Sequence, residues 1–121
     1  MADVKASLLK LAEIDGFVGS CVVDSNSGMM LGAEGGNSSM NLELAAAGNT
    51  EVVRAKHKTM ASLGLDDAIE DILITLNKQY HLIRPIAAKA GLFIYLVLDK
   101  NKSNLAMARH QLASAEGKLD F

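Results

Sequence analysis

The chain has 121 residues, 50% of them hydrophobic, with 12 Lys and Arg against 14 Asp and Glu for a formal net charge of −2, and a single cysteine. That length suits one domain spanning 1–121, able to bury about two thirds of its unfolded surface without staples, and the apolar fraction excludes general disorder. One cysteine excludes an internal disulfide, the charge balance offers no electrostatic basis for binding nucleic acid, and no apolar run approaches the ~18–20 residues of a membrane span, so the chain reads as a cytoplasmic domain without direct membrane insertion.

Residues 1–11 carry Asp3, Lys5 and an amphipathic pattern, which reads as neither a signal peptide nor an anchor. Asp3 is placed to cap a first helix with Val4, Leu8, Leu11 and Ala12 on one face and Lys5, Lys10 and Glu13 away from it. Asp15-Gly16 ends it. Residues 17–23 read as a strand in which Cys21 is a small buried thiol, 24–28 as a turn and 29–32 as the returning strand of a hairpin. Residues 33–41, rich in glycine and serine, read as a loop.

A long helix follows over 41–63. Leu42, Ala45, Ala46, Val52, Val53, Met60 and Leu63 form one stripe along it, and a second row of small or apolar residues, Leu44, Gly48, Ala55 and Ser62, widens that stripe to nearly half the circumference. One sheet face does not need such width. Because small residues let another helix approach closely, the pattern predicts packing on the chain's own sheet and also against a helix of a second subunit. Asn49 and Lys56 project into the middle of the stripe, and two readings stay open for them. Either Lys56 snorkels and Asn49 bonds a nearby carbonyl, or the two fix register between paired helices, as a buried polar residue does in coiled coils. Glu51, Arg54, His57 and Lys58 face water or a partner.

Gly64 ends the helix, and 72–76, 80–86 and 92–98 read as three strands of an antiparallel meander, with Pro85 confined to a strand end or a bulge. Leu92-Phe93-Ile94-Tyr95-Leu96-Val97-Leu98 is seven apolar residues without glycine, proline or charge, which reads as a strand buried on both faces at the centre of a layered fold. Ser103 is placed to cap a last helix with Leu105, Ala108, Leu112, Ala115 and Leu119 on one face.

Little in this order points to chemistry. The stretch 32–39 precedes a helix as a phosphate-binding loop would, yet it lacks the lysine of GxxxxGK[ST] and the spacing of GxGxxG, and Glu34 would repel a phosphate, so it reads as a connector. His57, His81 and His110 show neither HExxH nor the Cys–His spacing of a zinc site, and no GxSxG elbow frames a serine. Asp66, Asp67, Glu70 and Asp71 read as solvated charge protecting a strand edge. No catalytic, cofactor-binding or metal-ligating residue is predicted.

The passages Glu70-Asp71-Ile72-Leu73-Ile74-Thr75, Tyr80-His81-Leu82-Ile83-Arg84-Pro85, Leu92 through Asp99 and Asn104-Leu105-Ala106-Met107-Ala108-Arg109, in this order of elements, resemble the roadblock family, which includes roadblock-type dynein light chains and bacterial regulators of Ras-like GTPases. The resemblance covers nearly the whole chain. It implies an α+β fold of order α-β-β-α-β-β-β-α, a five-stranded antiparallel sheet sandwiched between one long helix and two terminal helices in a profilin-like layering. It also implies a homodimer in which strand 72–76 pairs with its copy and the two long helices lie side by side. Joined to the helix pattern, this places Leu44, Gly48, Asn49, Ala55, Ile72, Leu73, Ile74 and Thr75 in the dimer interface. The implied partner besides the second copy is a Ras-like small GTPase, met by Glu51, Arg54, His57 and Lys58, whose nucleotide cycle this chain modulates without supplying a catalytic residue. Two other functions stay open on the residues: a structural adaptor of a motor or scaffold complex without effect on nucleotide turnover, and a small-molecule sensor domain.

Overall fold

A computed structural model of the chain describes residues 3–38 and 40–120. Met1, and Ser39 of the glycine-rich stretch, lie outside the described residues. The elements are α1 (Val4–Leu11), β1 (Phe17–Asp24), β2 (Met29–Gly35), α2 (Leu42–Ser62), β3 (Ile72–Thr75), β4 (Gln79–Pro85), β5 (Leu92–Asp99) and α3 (Leu105–Lys118). Each helix starts on a side chain that fills a backbone donor its first turn leaves open: Asp3 accepts from the Ala6 N–H at 2.8 Å, Asn41 from Leu44 at 3.1 Å and Asn104 from Met107 at 3.0 Å. The cap of α3 is thus Asn104, one residue beyond the expected Ser103. The Ser103 hydroxyl instead donates to the Asp99 carbonyl at 2.8 Å, where it closes the turn leaving β5. Among the described residues, no helix is long and apolar enough to cross a membrane.

The five strands form one antiparallel sheet in the order β2-β1-β5-β4-β3, with β5 at the centre as its unbroken apolar run predicts. All of Phe93 through Leu98 is buried. Ile94, Leu96 and Leu98 point into a core with Leu8 and Leu11 of α1 and Leu112 of α3, while Phe93, Tyr95 and Val97 point into the other core with Leu42, Ala46 and Val53 of α2. At about 1.5–3 kcal/mol per fully buried large side chain, this strand contributes on the order of ten kcal/mol of gross burial, divided between the two layers. Pro85 is the last residue of β4, where a missing N–H costs no ladder bond.

Three local expectations are corrected. β2 runs to Gly35, so 33–35 are strand rather than loop, paired to β1 through Gly19↔Gly35, Ser20↔Glu34 and Cys21↔Ala33. Glycine content suggested a loop, but at Gly35 it serves a strand end: φ is +72°, and a Cβ there would stand 2.7 Å from the Phe17 ring and the Val18 carbonyl. Leu63 is 67% exposed, because residues 61–63 run out from the sheet, whereas Thr50 is buried in the stripe with its hydroxyl donating back to the Ala46 carbonyl at 2.8 Å. Asp66, Asp67 and Glu70 are exposed, but Asp71 accepts two hydrogen bonds from the Arg109 guanidinium of α3, at 3.0 and 3.2 Å, so it anchors a helix instead of only guarding an edge.

Candidate interaction surface

The α2 helix packs over β1 and β2 and against the β5 side chains Phe93, Tyr95 and Val97. On its other flank, toward β4 and the edge strand β3, two adjoining grooves stay open. The first, of about 570 Å³, has Leu44, Gly48 and Asn49 on its helix wall and His81 and Tyr95 on its sheet side. The second, of about 610 Å³, lies between Val52, Ala55, Lys56 and Thr59 of α2 and Asp71 and Ile72 at the start of β3. Five of the residues expected at a dimer interface, Leu44, Gly48, Asn49 and Ala55 of α2 and Ile72 of β3, therefore lie along one flank. Leu44 is 72% exposed, and a Cβ built on Gly48 would meet nothing within 4 Å. Along β3, Ile72 and Ile74 stand across from Ile83 and His81 on the α2 face, Leu73 packs into the α3 core and Thr75 is exposed. As the last strand of the sheet, β3 has only β4 beside it.

Glu51, Arg54, His57 and Lys58 are all exposed, on a different side of α2. Arg54 pairs with Glu51 at 3.3 Å and donates to the Asn26 carbonyl of the β1–β2 turn at 3.0 Å, which holds these two side chains over that turn. Lys56, expected in the middle of the apolar stripe, is exposed at the groove wall. Asn49 is half-buried, and its amide donates to the Ala45 carbonyl at 2.8 Å, the first of the two readings its position allowed.

Beneath the first groove lies a polar cluster that the sequence reading missed. His81 Nε2 is 2.8 Å from Gln79 Oε1, and Nδ1 is 2.9 Å from the Tyr95 hydroxyl, with the two rings edge to face at 5.6 Å. The Gln79 oxygen only accepts, so Nε2 carries the ring proton and Nδ1 accepts from Tyr95. Asn49 lines the same groove as Tyr95. Burial pushes the Tyr95 phenol up to about 12, against the opposing effect of Asn49, and holds the His81 ring below its ordinary value. The signal was one hydroxyl inside an otherwise hydrocarbon strand, which has to find a partner when buried.

The remaining candidates have other surroundings. Cys21 is buried, and that burial pushes its thiol up to about 12. Of the glycine-rich stretch, residues 32–35 are edge strand, and the described residues after Gly35 connect it to the Asn41 cap of α2. Among the described residues, no group of three or more His, Cys, Asp or Glu is arranged to hold a metal ion.

A five-stranded antiparallel sheet in this order, with one long helix on one face, the two terminal helices on the other and an open edge beside the long helix, is the roadblock/LC7 fold. Solved structures similar to this chain include MglB from Myxococcus xanthus, with TM-score 0.82 and 14% identity over 94% of this chain and 82% of that one. A roadblock/LC7 domain from Streptomyces avermitilis gives TM-score 0.81 and 10% identity over 96% and 93% of the two chains. The gliding protein MglB from Thermus thermophilus gives TM-score 0.70 and 14% identity over 95% and 89%. No protein-family model and no curated protein matches the sequence.

Proposed function

We propose that this chain is a cytoplasmic, non-enzymatic regulator of the roadblock type, a single domain that pairs with a second copy of itself along the α2–β3 flank and, as that dimer, binds a Ras-like small GTPase and modulates its nucleotide cycle. The observation that carries the proposal is the continuity of the flank: Leu44 and Gly48 are bare, the grooves beside them are open, and they lead to a strand with an unoccupied edge. Exposed apolar surface running into an open edge is a liability that a second subunit removes. The GTPase comes from the roadblock resemblance, supported by a fold shared with the MglB structures. Pairing on the groove flank leaves Glu51, Arg54, His57 and Lys58 free to meet it.

The test is a pull-down from native lysate with the whole chain as bait, run in parallel with GDP and with a non-hydrolysable GTP analogue. Retention of a small GTPase in one nucleotide state only is the expected result, since a switch requires differential affinity for two states. The same partners in both arms, or no GTPase in either, overturns the regulator in favour of a structural adaptor.

A further inference from the structure

The hydrogen bonds under the first groove run in one direction. Beside the Asn49 amide, which donates to the Ala45 carbonyl, Tyr95 donates to His81 Nδ1 and His81 Nε2 donates to Gln79 Oε1. Every donor meets an acceptor only while the imidazole is neutral. A proton added at Nδ1 makes the ring a double donor. The Tyr95 oxygen then has to take the ring N–H and swing its own hydrogen out of the chain. The groove is the open side of this cluster, so a helix seated there strips water from the ring and raises the cost of charging it.

The groups that face His81 set the sign. From β5 come the Tyr95 phenol and, across from Gln79, Asp99, whose carboxylate already accepts the Asn101 N–H at 2.9 Å. From β1 comes the buried Cys21 thiol beside Tyr95, from α2 the cation of Lys56 in the adjoining groove, and from β3 the apolar Ile74. Burial disfavours a charged ring, and both carboxylates nearby are engaged elsewhere, Asp99 with the Asn101 N–H and Asp71, beside Lys56 in the adjoining groove, with Arg109.

We propose that this chain of hydrogen bonds makes self-pairing on the α2 flank proton-sensitive: taking up a proton at His81 breaks its bond from Tyr95 and loosens the dimer. The inference rests on the pairing proposed above, and its test separates the two. The dissociation constant of the full chain is measured by sedimentation equilibrium at about pH 7.5 and about pH 5.5; a one-unit difference in the His81 pKa between monomer and dimer weakens pairing by up to about tenfold per subunit, the full factor being reached only below both pKa values. In His81→Asn, which keeps an acceptor toward Tyr95 but cannot charge, the constant stays level. A dimer whose constant ignores pH, or a slope that persists in His81→Asn, overturns the proton switch and leaves the pairing intact. A monomer at every pH overturns both. Should the variant fail to fold, NMR titration of the His81 ring in the wild type decides: linkage requires its pKa to fall as protein concentration rises, and a pKa indifferent to concentration overturns the switch.

Discussion

Ser7 lies on the inward face of α1, 3% exposed, with a hydroxyl that finds no hydrogen-bond partner among the described residues. Alanine at that position removes a desolvated polar group and is a better helix former, so Ser7→Ala is expected to stabilise the fold by about 1 kcal/mol. A thermal midpoint below the wild type would count against this account. Two glycines show how one substitution takes opposite signs. Gly35→Ala puts a methyl 2.7 Å from the Phe17 ring at φ +72°, and is expected to destabilise by roughly 2 kcal/mol. Gly48→Ala meets open space inside a helix and is expected to gain about 1 kcal/mol. Denaturant midpoints for the two should fall on either side of the wild type. Gly48 could be singled out from its place in a row of small residues, but the conformation of Gly35 could not, because it depends on where Phe17 and Val18 lie.

At the scale of elements, α3 is held by two ion pairs of unequal burial. Glu116 and Arg84 meet at 2.9 Å with side chains 9% and 17% exposed, and the other Glu116 oxygen accepts the Ala87 N–H at 3.3 Å. Removing the carboxylate leaves a largely buried guanidinium and a backbone donor unpaired, so Glu116→Ala is expected to cost about 3–5 kcal/mol. In the pair at 3.0 Å between Asp71 and Arg109 the arginine is 41% exposed, and Asp71→Ala is expected to cost about 1 kcal/mol or less. Chemical denaturation of both variants checks the order, which reverses if burial is not what distinguishes them. The apolar faces of all three helices were legible from spacing. These pairs were not, since their members lie 32 and 38 residues apart and charge at such separations follows no local period.

For the whole molecule, two buried groups and one half-buried ring define a window of pH. The His81 ring lies below its ordinary value, so acid adds protons to the unfolded chain first, and stability falls as pH drops from 6.5 toward the folded value. Cys21 and Tyr95 are raised to about 12 from 9.0 and 10.0, so alkali strips protons from the unfolded chain first, and stability falls as pH climbs through that interval. Denaturant midpoints should therefore plateau between about pH 6.5 and 9, and midpoints still rising across that span would contradict the burial seen here. The proposed pairing has its own check. Gly48→Arg places a long side chain at a groove wall where a Cβ meets nothing within 4 Å, so the domain should stay folded yet sediment as a monomer, and an unchanged dimer would remove this flank from the interface.

Element order, the central place of β5, the inward faces of the helices and the strand-end place of Pro85 were determined by the sequence alone, because each follows from periodicity or backbone chemistry within a few residues. Tertiary structure decided the rest. The length of β2 depends on β1 lying beside it to accept hydrogen bonds, and the cap of α3 on how the chain turns out of β5. Likewise, the polar cluster exists because β4 and β5 pair in a register that sets His81 beside Tyr95, under a helix that begins some 40 residues earlier. Local pattern states which face of an element is apolar. Only packing states which faces meet, and which are left open for a partner.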